Sequence, residues 1–468
     1  EAAGRAFGLQ GSGRSKRLIR CVAQRGSGGV CLSQATNISI RNCVFWENTA
    51  NAVSLGGSVK LVLENSILAS TATNAVLVAL TTTNGYASDY NGMHAGPFTR
   101  VGSLAGTFAD DLAAWIRLTG GQDVHGVPGD PQMANPDPAT KAGEFSFDYH
   151  LKTEQTLGRF QPDGQRTSDS VSSPLLDAGS PASTAWTNEP APNGGRINVG
   201  RFGGTEEASS APDYLWIKTV SLGDAGGVTN GTVPLVWTAS GRFTTETVKV
   251  EVSVDGGKNW GHTVAASVAA TNGQVNWAVS GLSDTPAGAW RVVCLENTNI
   301  WAQTTNFFAI RNTNLNLFVG TADTNENVYA EGPGQPDNWV ASSEAPLNSL
   351  RLAFERFDLE PGDRIWVDTG TYAESSPILI GLKDTGTSNS PIRVTGNSSG
   401  PYTRTILKRT SRTVGAIGIQ LVYANGIQFD SLVVSNAHTG VHLENSQAIS
   451  LDRVRVGYCV TNAVYAGA

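Results

Sequence analysis

Side chains able to do chemistry are sparse in this sequence. Their best grouping is Asp123-Val-His125 with Asp130, followed by Asp148 and His150. Carboxylate oxygens and imidazole nitrogens in turn-rich sequence are donors that a divalent cation takes. Asp123, His125 and Asp130 are therefore the candidate metal set. The competing reading, which is preferred, is turn and cap hydrogen bonding by the same side chains. His438 and His442 read as solvated residues on one turn. Trp260 and Trp301 could stack on a sugar ring, although tryptophans in such sequence are more often packed against a core. No cofactor is expected.

The elements that would position these residues are short alternating strands. In Asn37–Leu68, Ile38 and Ile40 alternate with polar residues, Asn42 marks a bend, and Cys43 and Phe45 follow with opposite parity. The pattern restarts at Leu61, Leu63 and Asn65. Ile40 to Leu63, Phe7 to Val30, Val30 to Val53 and Val53 to Val76 are each 23 apart, and Leu18 to Ile40 is 22. Strands at a fixed period of this length predict a parallel β-helix, each turn about 4.8 Å above the last with like residues stacked. Asn42 and Asn65 would then form an amide ladder at the bend. Cys21 and Cys43 would be stacked, reduced core thiols, with a disulfide as the alternative.

The chain has 468 residues, 53 of them Gly, with 40% hydrophobic and 16% charged. This suits a turn-rich, all-β protein and argues against coiled coil or disorder. A net charge of −7 gives no electrostatic footprint for nucleic acid. No apolar run reaches the roughly 18 residues of a membrane helix. The five cysteines have no metal-ligand spacing.

The period is expected to fail after Leu80. A short helix is predicted at 110–119, with Leu112, Trp115 and Ile116 on one face and Asp110 or Asp111 as its cap. Residues 213–312 read as period-two strands with a turn signal at Asp255-Gly256-Gly257. Residues 313–468 begin with a strand and a predicted amphipathic helix. Leu347, Leu350, Phe354 and Phe357 share its face, and Ser342 or Ser343 caps it. A period then returns: Ile419 to Val441 is 22, Val441 to Val464 is 23, and Phe429 to Leu451 is 22.

The phrases DYHL, SPLLDAGSP and NGGRINVGRFGGT, in that order, resemble the C-terminal end of bacterial right-handed parallel β-helix repeat proteins of the pectate-lyase-like superfamily. The order of strand, helix and GDRIWVDTGTY resembles the N-terminal opening of the same superfamily. Residues 213–312 resemble an immunoglobulin-like or fibronectin-like β-sandwich. The resemblance implies fold rather than activity. It divides the chain into 1–212 (the C-terminal half and closure of a β-helix), 213–312 (the sandwich) and 313–468 (an N-terminal cap and first turns). The polygalacturonase-like runs Asn-Thr-Asp, Gly-His-Gly and Arg-Ile-Lys are missing, and no pectate-lyase-like carboxylate cluster is visible, so no catalytic residue is assigned.

The order is inside out, with closure before opening. Three explanations compete: one period of a tandem array, subunits that complete each other head-to-tail, or two unrelated half solenoids. The first two make Tyr465, Ala468, Glu1 and Phe7 the assembly seam and identical repeats or subunits the partners. The expected function is a structural repeat of an extracellular filament, surface layer or adhesive stalk. The alternatives are a polysaccharide-active lyase or hydrolase and a carbohydrate-binding adhesion module.

Overall fold

The computed structural model describes residues 5–467 except 11–14, 35, 57–59, 138–146, 162, 212–214, 223–226, 230, 241–242 and 398–403. Along the chain, two stretches of parallel β-solenoid precede and follow a set of mainly antiparallel sheets.

The first solenoid has three faces. One stacks Arg5–Gln10, Gly28–Ser33, Asn51–Gly56, Val76–Leu80 and Arg100–Leu104 in parallel. The second stacks Lys16–Ile19, Ile38–Arg41, Leu61–Glu64 and Tyr86–Asp89. The third stacks Val22–Gln24, Val44–Trp46, Ile67–Ser70, Gly92–Ala95 and Val127–Pro128. Apolar residues of alternate parity point inward and form columns. Leu18, Ile40 and Leu63 are register partners in one. Phe7, Val30, Val53 and Val78 are partners in another.

Two expectations are corrected here. Val53 stacks on Val78, not Val76, because Val44 and Ile67 are 23 apart whereas Val53 and Val78 are 25 apart. The extra residues lie in the turn after Ser70, where Glu47 accepts from the Thr71 backbone and hydroxyl. The solenoid also continues beyond Leu80. There Ser88 takes the column position of Leu63, and Gly102 that of Val78, so the apolar beat fades while the coil persists.

Gly102 is small for a reason. A Cβ at this position would lie 2.1 Å from the Trp115 ring. Trp115 belongs to α1 (Leu112–Thr119), which buries Leu112, Trp115 and Thr119 over the end of the solenoid core. Asp111 caps α1 by accepting from Ala114 N at 2.6 Å, and Gly120 ends it in the left-handed region.

The second solenoid stacks Asn316–Val319, Arg364–Val367, Ile392–Thr395, Ile427–Asp430 and Ser450–Asp452 on one face. Gly370–Glu374, Thr405–Arg409, Leu432–Ser435 and Arg455–Gly457 form the next. Ile378–Ile380, Ile417–Val422, Thr439–Glu444 and Val464–Gly467 form the third. The 22- and 23-residue spacings at Ile419, Val441, Val464, Phe429 and Leu451 all coincide with register partners.

The opening of this solenoid is covered by α2 (Leu350–Arg356), which buries Leu350, Ala353 and Phe354. Its cap is Ser349, which accepts from Leu352 N and donates to Glu374 Oε1 at 2.6 Å. Ser342 instead closes a local turn onto Ala345 N. The predicted helix shortens because Leu347, just after Pro346, is spent in extended bridges to Val319 and Gln335. Leu347 and Phe357 are buried in the same core without being helical.

Between the solenoids, Ile217–Thr219, Thr232–Ala239 and Gln274–Ala278 form one sheet. Gly227–Thr229, Phe308–Arg311, Thr285–Cys294, Thr247–Ser253 and His262–Ala269 form another, with Trp301–Gln303 along Thr285–Cys294. Trp237, Trp277 and Trp290 lie in one buried cluster shared by these strands. The capped ends of the two solenoids meet where Phe98 lies against Gly381, and Arg117 Nη1 of α1 donates to Gly227 O of the middle sheets at 2.9 Å.

Gly102→Ala should force Trp115 off the core end and cost about 1–3 kcal/mol. Denaturant unfolding followed by tryptophan fluorescence would measure the loss. An unchanged midpoint would mean that α1 does not seal this solenoid.

Candidate functional site

Asp123 is fully buried, with a left-handed φ of 56°. One carboxylate oxygen accepts from Ser88 Oγ (2.7 Å) and Asn91 Nδ2 (2.9 Å), and the other from Trp115 Nε1 (3.0 Å). Burial raises its pKa, and these three donors oppose the rise. Asp123 thus ties the helical cap to the last turns of the coil.

His125 faces another way. Its backbone N donates to Asp89 Oδ1, its Nδ1 lies 2.7 Å from Asp89 Oδ2, and its ring stacks on Tyr90 at 4.7 Å. The Arg196 guanidinium lies 5.8 Å from the Tyr90 ring centre. Asp130 folds back on Gln132. Asp123, His125 and Asp130 therefore do not converge, and among the described residues no three His, Cys, Asp or Glu could hold a metal ion. Asp89 is the partner that motif reading missed. Its signal was its place in the outward column, directly above Glu64.

Asp148 and His150 are also tied. His150 Nδ1 lies 2.6 Å from Asp148, whose other oxygen meets Arg159 Nη1, and Arg159 Nε meets Asp169 at 2.9 Å. The His150 ring stacks on Phe202 at 3.6 Å.

The bend of the first solenoid carries Arg20, Asn42, Asn65 and Tyr90, all left-handed, with φ of 56°, 53°, 54° and 56°. Asparagine tolerates this region better than most residues. The expected amide ladder is replaced by contacts to a covering segment. Arg20 Nη2 donates to Gly204 O (3.0 Å), Asn42 Nδ2 donates to Gly200 O (3.1 Å), and Asn65 Oδ1 accepts from Ser180 N (2.8 Å). The irregular segment has few strand partners, so its backbone groups need side chains to satisfy them. It lies along the flank, with Leu175, Leu176, Ala178 and Val199 packed on Val44, Ile67 and Ala69. The DAG and GGRINVG phrases thus cover a side of the coil, and α1 covers its end. Within the segment, Glu189 Oε1 accepts from Asn198 N and Gly204 N, while Oε2 is buried without a partner. Burial pushes Glu189 up to about 8.

Cys21 and Cys43 are free. Burial, followed by opposing and reinforcing contacts from Cys21 and Arg41, pushes the Cys43 thiol up to about 12. Trp260 is half-buried beneath Arg291, 4.5 Å from its ring centre. Trp301 is 52% exposed. Trp301 and Gln303 share one side of the sheet with their register partners Val293 and Arg291, and a Cβ at Gly257 would meet both Trp260 and Gln303. These four polar and aromatic side chains form one patch.

At the proposed seam, Glu1 and Ala468 lie outside the described residues. Phe7 is half-buried, and exposed Tyr465 packs edge-on to His442 at 5.0 Å. Among the described residues, none covers either solenoid end away from the helical caps. Val441 is 0% exposed, but Val464, next in the same column, is 45% exposed. Leu18, Cys21, Leu451, Val454 and Val456 are likewise only partly buried, although their column neighbours Ile40, Cys43 and Phe429 are sealed.

No protein-family model matches the chain, and no curated protein or solved structure matches it significantly.

Asp123→Ala would leave the buried Ser88 hydroxyl and Trp115 indole N–H short of an acceptor and should cost about 3 kcal/mol. Chelator should leave the melting temperature unchanged. A rise of several degrees on adding Ca²⁺ or Zn²⁺ would restore the metal reading. A second expectation concerns Glu189. Its folded pKa of about 8 exceeds the usual 4.5. Its segment is therefore most stable below the lower value and weakens as pH rises through the upper one. Hydrogen exchange across residues 175–204 should report this slope, and Glu189→Gln should flatten it.

Proposed function

We propose that this chain is a structural repeat unit of an extracellular filament, surface layer or adhesive stalk. Its solenoid is completed head-to-tail by the next repeat or subunit. The observation that carries this reading is the contrast between sealed Val441 and half-exposed Val464 in one column, mirrored by Ile40 and Leu18 at the opposite end.

The two open ends are complementary in polarity. Helix α1 covers the last turns of the first solenoid, so its open edge is the leading one. Helix α2 covers the first turn of the second, so its open edge is the trailing one. A trailing parallel edge accepts a leading edge in the same strand direction, through main-chain hydrogen bonds and apolar columns. Such a contact joins unlike surfaces and does not close, which generates an open fibre. Unshielded strand edges left bare would associate in any case.

In this reading the winding is right-handed and of the pectate-lyase-like kind. The chain divides at 1–212, 213–312 and 313–468, and the middle strands are an immunoglobulin-like sandwich serving as spacer. A second reading, carbohydrate-binding adhesion, draws on the exposed Trp301 beside Trp260 and Arg291.

Sedimentation and negative-stain imaging test the proposal. The chain should form concentration-dependent end-to-end assemblies. Val464→Lys should reduce these to monomers with unchanged circular dichroism, and Leu18→Lys should do the same. A monodisperse monomer at all attainable concentrations would overturn it.

A further inference from the structure

A cleft of about 650 Å³ opens where the capped ends of the two solenoids meet the antiparallel sheets. Its walls come from several distant stretches of the chain. Asp110 and Asp111 stand at the start of α1, Thr304 and Phe307 precede the last strand of the middle region, and Trp339 and Asp358 flank α2. This volume lies within the roughly 300–1,000 Å³ typical of small-ligand sites.

The cleft offers acceptors rather than free cations. Lys383 Nζ donates to the carbonyls of Glu355 and Phe357. The Arg356 guanidinium sits 3.9 Å over the Trp339 ring and donates to Pro336 O. The cations are thus turned toward backbone and ring. Among the described residues, by contrast, none donates a hydrogen bond to the Asp358 carboxylate, and Asp111 uses an oxygen to cap α1. Asp110 is paired with Arg100 at 3.2 Å.

Thr304 supplies an independent sign. It is 3% exposed, it belongs to the cleft wall, and its hydroxyl has no hydrogen-bonding partner. Buried hydroxyls are nearly always partnered, so a lone one in a cavity wall marks a place for a ligand or a water. The wall also carries an aromatic pair, with Phe307 edge-on to Trp339 at 4.8 Å.

We propose that this cleft binds a short neutral oligosaccharide, its ring face against Trp339 and Phe307 and its hydroxyls on Asp358, Asp111 and Thr304. A sugar ring supplies the required combination: an apolar C–H face for the aromatics and several donors for the carboxylates. An acidic sugar is disfavoured, because Asp111 already opposes ionisation of Asp358, and among the described wall residues Lys383 and Arg356 are engaged with carbonyls and the Trp339 ring. Burial, then Asp111, Glu360 and Asp384, push Asp358 well above the usual carboxylate range, and burial brings Asp110 up to about 6. A hydroxyl between Asp111 and Asp358 would relieve that crowding by donating to one of them.

Calorimetric titration of the full chain with maltotriose, cellotriose, xylotriose and chitotriose tests this, with trigalacturonate and spermine as comparators. At least one neutral trisaccharide should bind with a Kd of about 1 mM or below, and Asp358→Asn and Trp339→Ala should each weaken it about tenfold. Thr304→Val keeps the shape and should weaken it less, and Trp301→Ala should leave it unchanged. Near-UV circular dichroism separates lost binding from lost folding, and the Asp358 and Thr304 variants decide the matter if Trp339→Ala does not fold. Silence across the neutral panel, tighter binding of trigalacturonate or spermine, or dependence on Trp301 alone would overturn the proposal.

Discussion

Every turn of a parallel solenoid satisfies its backbone and hides its core only if another turn, or a cap, lies on each side of it. That constraint governs the whole chain. Ile40 and Leu63 are sealed because turns lie above and below them, whereas Leu18 and Val464 have a described neighbour on one side only. The two helices answer the constraint at the inner ends. Trp115 of α1 fills the space that a side chain at Gly102 would occupy, and Phe354 of α2 enters the second core. At the outer ends no described element does so, and the head-to-tail reading follows from this asymmetry.

The polar residues obey the same requirement. Asp123, Asn42, Asn65 and Arg20 each meet backbone or side-chain groups that the coil leaves unsatisfied at its cap or bend. Burying them is tolerable because each finds partners. This is why residue types that suit a metal site serve here as ties. Asp123 is turned inward to Trp115, while His125 is turned to Asp89. Glu189 is the costlier case: one oxygen takes two backbone donors and the other takes none. Its high pKa follows from that imbalance.

The cleft between the caps differs from the flank in origin and character. It exists because two capped ends and the loop before Phe308–Arg311 meet, so it has no counterpart within a single turn of either coil. Its carboxylates arise as a helix cap and a post-helix residue, Asp111 and Asp358, and crowd each other only in the assembled chain.

The local rules of the sequence were enough to determine the coil, most of its register and both helices. Alternation and a 22–23 beat follow from side chains that must point inward at equal steps, and these survive in Phe7, Val30, Leu18, Ile40, Phe429 and Val441. Where a turn lengthens, as before Val76, or an inward position is polar or Gly, as at Ser88 and Gly102, the beat is lost although the coil goes on. The start of α2 was misplaced because the extended pairing of Leu347 is made with Val319 and Gln335, and no local pattern encodes it. The partners of Asn42, Asn65 and His125 were likewise out of reach, since two of them lie more than a hundred residues away and the third in the preceding turn. Only the tertiary structure decided these, along with the cleft. Hydrogen bonds and cavities between distant segments depend on how whole elements pack, which the spacing of residues along the chain does not specify.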